Sequence, residues 1–184
     1  MPYYLRTEFT AQSRLVWALM NLYAQLESLP PDPRLEITPF AVFMAFSVEA
    51  YLNSIGFRVV QFWETIERIP WRDKVEILHS VSGREPKWGE EPLQFVQELF
   101  RLRDRLAHGK PELLRSVPYA SRESAHAAVG PLVEEPEWYR RLDQAWAVSA
   151  KVRFNRAMVY FGALHGFHES DHLLRSSTSI EYDA

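Results

Sequence analysis

The sequence predicts an all-α fold, an antiparallel helical bundle of about five to seven helices forming one domain over residues 1–184. Three observations predict it. Apolar residues recur at spacings of three and four, the period of a helix face. The run FAVFMAFSVEAYLNSIGFRVV, residues 40–60, is apolar nearly all round, as a helix at the centre of a bundle has to be. No segment alternates apolar and polar residues with the period of two that a half-buried strand imposes. The 184 residues, 47% apolar and 14% aromatic, can bury one sizeable core.

The first helix is expected from Thr10, with Leu15, Leu19, Leu22, Leu26 and Leu29 as its apolar stripe and Pro30-Pro31 as its stop. After a turn-rich link comes the central run. It is long enough for a membrane span, but Glu49 and Asn53 at its middle would each cost about 2–3 kcal/mol in hydrocarbon. It is therefore read as the core helix of the bundle, which is also suited to the seam of a dimer. QFWETIERIPWRDKVEILHSVSG reads as two short helices broken at Pro70, and the loop after it ends with Pro92 at the start of the next helix. LQFVQELFRLRDRLAHG is a helix stopped by Gly109. A connector follows, then a short helix begun by Ser121. One long helix is expected from Glu137 to His165, with Trp138, Leu142, Ala145, Val152 and Val159 on one face. The bundle core spans about 6–165, and residues 166–184 are expected to be a partly flexible, frayed polar tail.

Composition excludes several chemistries. Cysteine is absent, which removes disulfides, thiol nucleophiles and thiolate zinc sites together. A net charge of −3 gives no global field for nucleic acid or membrane, so such binding needs a local patch. MPYYLRTEFTAQ lacks the basic and apolar regions of a signal peptide, and a cytoplasmic protein without membrane contact is expected. No glycine-rich phosphate loop, serine–histidine triad or H-E-x-x-H motif occurs.

The helix ending at His108 carries the most informative residues. At 100° per residue, with Phe95 at zero, its apolar residues fall between about −20° and 140° and Arg103 falls at about 80°, near the centre of that face. A guanidinium cannot shed its charge on burial, so it needs an acidic partner, an anionic ligand or a subunit interface. Glu49 on the central helix is the structural candidate for that partner, with Asn53 beside it. Asp104, one turn before His108, can accept a hydrogen bond from the imidazole. A histidine at this place also simply favours the helix C-terminal dipole. Arg101, Arg105 and Lys110 add a local positive patch that suits a polyanion.

The stretch Arg103-Asp104-Arg105-Leu106-Ala107-His108-Gly109 resembles the signature of the HEPN superfamily, an arginine followed after four to six residues by a histidine at a helix end. In that family a polar residue, commonly asparagine, follows the arginine; here it is Asp104. The Glu49-Ala50-Tyr51-Leu52-Asn53 stretch is similar to the family as well. The spacing alone is unspecific, since Arg72 and His79 also match it and are assigned no function. Helix placement and the Ala-His-Gly ending distinguish Arg103–His108. The resemblance implies a homodimer in which two motifs share a cleft. It also implies metal-independent endoribonuclease activity on RNA, with Arg103, His108 and Asp104 as catalytic residues and Arg101, Arg105 and Lys110 as nucleic-acid contacts. No cofactor or metal is implied, and a cognate antitoxin or regulatory protein is a further possible partner. Other members of the family only bind, so a non-catalytic nucleotide-, RNA- or protein-binding module is the alternative. A third reading is a metal site: His165, His168 and His172 share one side of a continuing helix and offer three imidazoles to zinc.

Overall fold

A computed structural model of the chain describes residues 3–28, 34–128, 135–174 and 176–182. In chain order these form β1 (Tyr3–Phe9), α1 (Ala11–Ser28), α2 (Arg34–Val59), α3 (Trp63–Ile66), α4 (Trp71–Val81), α5 (Leu93–His108), α6 (Arg122–Ala128), α7 (Glu137–Arg140), α8 (Gln144–Ala163) and β2 (Ser176–Tyr182). A single 3-10 turn occupies Asp171–Leu173. The described residues are all-α apart from one two-stranded ribbon.

The apolar run forms the axis of the bundle. α2 packs against α1, α3, α4, α5 and α8, and its Ile37, Met44, Ala45, Val48, Tyr51, Leu52 and Ile55 are fully buried. Neighbours surround α2, which is why its sequence shows no single apolar stripe. It starts before the expected run and passes through Pro39, early enough that only a hydrogen bond near the helix start is lost. Over 37–59 it is long and apolar enough to cross a membrane, by length and composition. Trp71 at the start of α4 stacks on Phe100 of α5, with ring centroids 4.2 Å apart and planes 8° from parallel.

Most boundaries fall where the sequence puts them. Pro70 separates α3 from α4, Pro92 precedes α5, and Ser121 Oγ accepts from the Ser124 amide at 3.2 Å to begin α6. α5 ends at Gly109, but not through a left-handed residue. A Cβ there would lie 2.5 Å from the Arg105 carbonyl oxygen, so the turn out of the helix needs glycine for space.

Four expectations are corrected. On α1 the buried positions are Gln12, Ser13, Val16, Leu19, Tyr23 and Leu26, while Leu15 and Leu22 are only partly covered. Leu29 and Pro30-Pro31 lie outside the described residues. The expected single helix from Glu137 to His165 is two, α7 and α8. The chain breaks at Arg141–Asp143, where the Asp143 side chain caps α8 by accepting from the Trp146 amide at 2.7 Å. Its buried residues are Ala147, Ala150, Phe154, Ala157, Met158, Phe161 and Gly162, so Ala145 and Val152 lie off that face and are exposed. Lastly, the tail is not a frayed end: the 3-10 turn docks on the bundle, and β2 pairs antiparallel with β1, Leu5 opposite Ile180. Period-two reasoning missed this ribbon because both its faces are exposed, which leaves no buried side to impose alternation.

Candidate functional site

α5 leaves the core before it ends, and this decides what its last two turns can do. Leu93, Phe95, Val96, Leu99 and Phe100 are buried; Leu102, Arg103 and Leu106 are partly covered; Asp104, Arg105 and His108 are exposed. The projecting end forms one wall of a groove of about 1110 Å³. The connector at Gly109–Glu112 forms another wall, and Trp138, Arg141 and Trp146 of the α7–α8 corner form the third. Glu112 holds the connector in place by accepting from Trp138 Nε1 at 3.0 Å, and the Arg105 guanidinium lies 5.2 Å from the centroid of the Trp138 ring.

The groove gathers His108, Asp104, Arg101, Arg105 and Lys110, five of the six residues expected to act on or bind RNA. It does not gather Arg103. A separation of five residues turns the helix by about 140° between Arg103 and His108, so the two leave it on different sides. Arg103 lies over the Phe100 ring at 5.1 Å, its side chain 23% exposed. Its Nε is 3.0 Å from Asp104 Oδ1 but is not directed at it, so this buried N–H has no hydrogen-bond partner. Asp104 thus faces Arg103, and no hydrogen bond joins it to His108, contrary to the tautomer-fixing contact expected from their spacing.

The expected Arg103–Glu49 pair does not form. Glu49 Oε1 instead accepts from Lys74 Nζ of α4 at 3.2 Å, and the Lys74 side chain is 2% exposed. Arg103, partly covered where the helix leaves the core, has the exposed Asp104 as its neighbouring acid instead. Asn53 remains half-buried on α2, its Oδ1 without a hydrogen-bond partner. The second match to the arginine–histidine spacing is structural. His79 is fully buried, Nδ1 2.7 Å from the Val75 carbonyl and Nε2 2.7 Å from the Tyr160 hydroxyl, while Arg72 lies over the Trp88 ring.

The three C-terminal histidines do not converge. α8 stops at Ala163, before all three, and Gly166, at φ 74°, turns the chain between His165 and His168. His168 is exposed beside Ser170, whereas His172 is buried next to Asp171. Among the described residues no cluster of three or more histidine or carboxylate side chains could hold a metal ion. Asp171 instead anchors the turn: Arg58 donates to it from Nη1 at 2.9 Å and Nη2 at 2.7 Å, and the Tyr51 hydroxyl donates at 2.9 Å. Burial works to raise the Asp171 pKa, but these bonds outweigh it and hold the carboxyl below its ordinary range.

Trp138, Trp146, Arg141 and Glu98 line the groove and were not singled out as site residues from the sequence. The available signal was tryptophan and arginine interleaved near residue 140, a pattern found where single-stranded nucleic acid binds. No family model matches the sequence, and no curated protein or solved structure is similar to it at a significant level.

Proposed function

We propose that the groove at the end of α5 binds single-stranded RNA, and that a homodimer joining two such helix ends cleaves it without a metal. The observation that carries this reading is an exposed histidine on a groove lined by cations and indoles, its acids Glu98, Asp104 and Glu112 each beside a partner, Arg153, Arg103 and Trp138. His108 stands there with Arg101, Arg105 and Lys110, and Trp138 and Trp146 line the far side. Cations follow a phosphate backbone, and indole faces accept bases irrespective of sequence. The resemblance of Arg103–His108 to the HEPN signature supports the same assignment.

The chemistry is transesterification. The RNA 2′-oxygen attacks the adjacent phosphorus as a base takes its proton, and the 5′-oxygen leaves as an acid protonates it. The products are a 2′,3′-cyclic phosphate and a 5′-hydroxyl. A histidine titrates near neutrality and can fill either role. His108 is the sole histidine lining the groove, so base and acid together call for the His108 of a second copy. Arg103, beside Asp104 and with its Nε lacking a hydrogen-bond partner, suits the phosphorane oxygens of a strand that crosses between the two helix ends.

A second reading, a binding module without catalysis, is favoured by the placement of Arg103 outside the groove. Fluorescence anisotropy with a labelled RNA oligonucleotide tests the binding step common to both. Affinity should fall steeply with added salt and with Arg105→Ala or Trp146→Ala; salt-independent affinity, or none, contradicts both readings.

A further inference from the structure

A second concavity lies on another face of the bundle. α1 and α8 both pack on α2 and on the turn at 171–173, yet direct contact between them is slight at most. Between them is a cavity of about 530 Å³, within the usual range of small-ligand sites. Its walls are matched helical stripes: Val16, Leu19, Met20 and Tyr23 on α1, and Val148, Lys151, Val152, Asn155 and Arg156 on α8. Both follow the i, i+3, i+4, i+7 rule, so in a closed bundle they would pack on each other. Here they face across a slot about 12 Å long.

The charged side chains of the slot, Lys151 and Arg156, share one sign. Among the described residues no aspartate or glutamate lines it; Glu27 acts on the Tyr23 hydroxyl and Asp171 on His172. Lys151 rests over the Tyr23 ring, its Nζ 3.6 Å from the centroid, and neither Lys151 nor Arg156 has an ion pair among the described residues. Met20, Val148, Val152 and Leu173 are 44–49% exposed at the walls, a continuous apolar surface left in water. His172 also lines the slot; it is 2% exposed, and its Nδ1 has no hydrogen-bond partner.

We infer that the slot between α1 and α8 binds a small amphipathic carboxylate, its linear apolar chain lying between the two stripes and its head group at Lys151, with Arg156 a further cation on the same wall. The site is separate from the α5 groove and stands whether or not that groove acts on RNA. The charge pattern selects the occupant: an apolar helix of a partner would satisfy the stripes but not two cations that no described lining residue neutralises.

Isothermal titration of the full chain with dodecanoate tests this, with dodecan-1-ol as the uncharged comparison. Dodecanoate should bind saturably at one site per chain. Val152→Trp, which fills the slot from an exposed position, should weaken it by about tenfold or more with the melting temperature unchanged. Lys151→Gln with Arg156→Gln should weaken dodecanoate about tenfold and leave dodecan-1-ol as it was. Absence of saturable binding, equal binding by Val152→Trp, or equal loss of both ligands in the double variant overturns the assignment. So does a dimer on light scattering that Val152→Trp disperses, since the slot would then be covered by a second copy.

Discussion

Lys74 Nζ lies 3.2 Å from Glu49 Oε1, joining a lysine 2% exposed on α4 to an acid 32% exposed on the central helix. The pair takes the carboxylate that the sequence offers to Arg103, and it separates the two stretches that resemble one family. Glu49 serves the core, and Arg103 belongs to the projecting end of α5.

Removing Glu49 should therefore be a stability lesion. Glu49→Ala leaves a buried ammonium without its acid and should cost roughly 1–3 kcal/mol, less than a fully buried pair because the glutamate is partly hydrated. Lys74→Met, which replaces the cation with apolar volume, should be close to neutral. Urea unfolding of both variants checks this; a stable Glu49→Ala protein would show that Lys74 has another way to be solvated.

The protein should lose stability in acid in two stages. His79, His165 and His172 all have pKa values lowered by burial from the ordinary 6.5, so below that value the unfolded chain binds more protons than the folded one. Stability then falls as pH drops below about 6.5. Asp171, held low by Arg58 and Tyr51, adds a second loss as pH falls below its ordinary 3.8. Thermal melts from pH 7.5 to pH 3.5 should show the first decline beginning above pH 5. A flat profile down to pH 5 would mean the three histidines are not kept neutral by burial.

Asp171 should matter more to the C-terminus than to the bundle. Asp171→Ala removes the acceptor of the Tyr51 hydroxyl and of both Arg58 bonds, a loss of about 3 kcal/mol where an uncompensated partner is left behind. Hydrogen exchange should rise first in the turn at 171–173 and in α8 near Gly162, with α4 and α5 little changed. Equal loss across all helices would make the turn part of the global core.

The legible and illegible parts of the fold differ for physical reasons. α5 was readable because its first half alternates buried and exposed faces and its ends carry proline and glycine. The central run was readable because a helix apolar all round is a bundle axis or a membrane span, and Glu49 and Asn53 at its middle favour the bundle. The α7–α8 break was hidden because Asp143 caps a helix inside a sequence that is otherwise helical on both sides. β1 and β2 were hidden because their partner lies at the far end of the chain. At the site, the sequence brought out the basic patch and His108, which share one helix end. It could not place Trp138 and Trp146, which reach the groove by tertiary packing. The Arg103–Glu49 pair failed as an expectation because helical periodicity gives the direction of a side chain but not how far the helix has travelled from the core.

The central claim is that His108 moves protons in metal-independent RNA cleavage. The most direct measurement is the cleavage rate of single-stranded RNA by the wild-type chain and by His108→Ala, each with and without EDTA, after melting curves show that both are folded. His108 is exposed, so the variant should melt as the wild type does. The rate should fall by about 10²–10⁴, EDTA should change nothing, and the products should carry 2′,3′-cyclic phosphate ends. A wild type that does not cut, a His108→Ala protein that cuts at the same rate, or cleavage that EDTA abolishes would contradict the assignment.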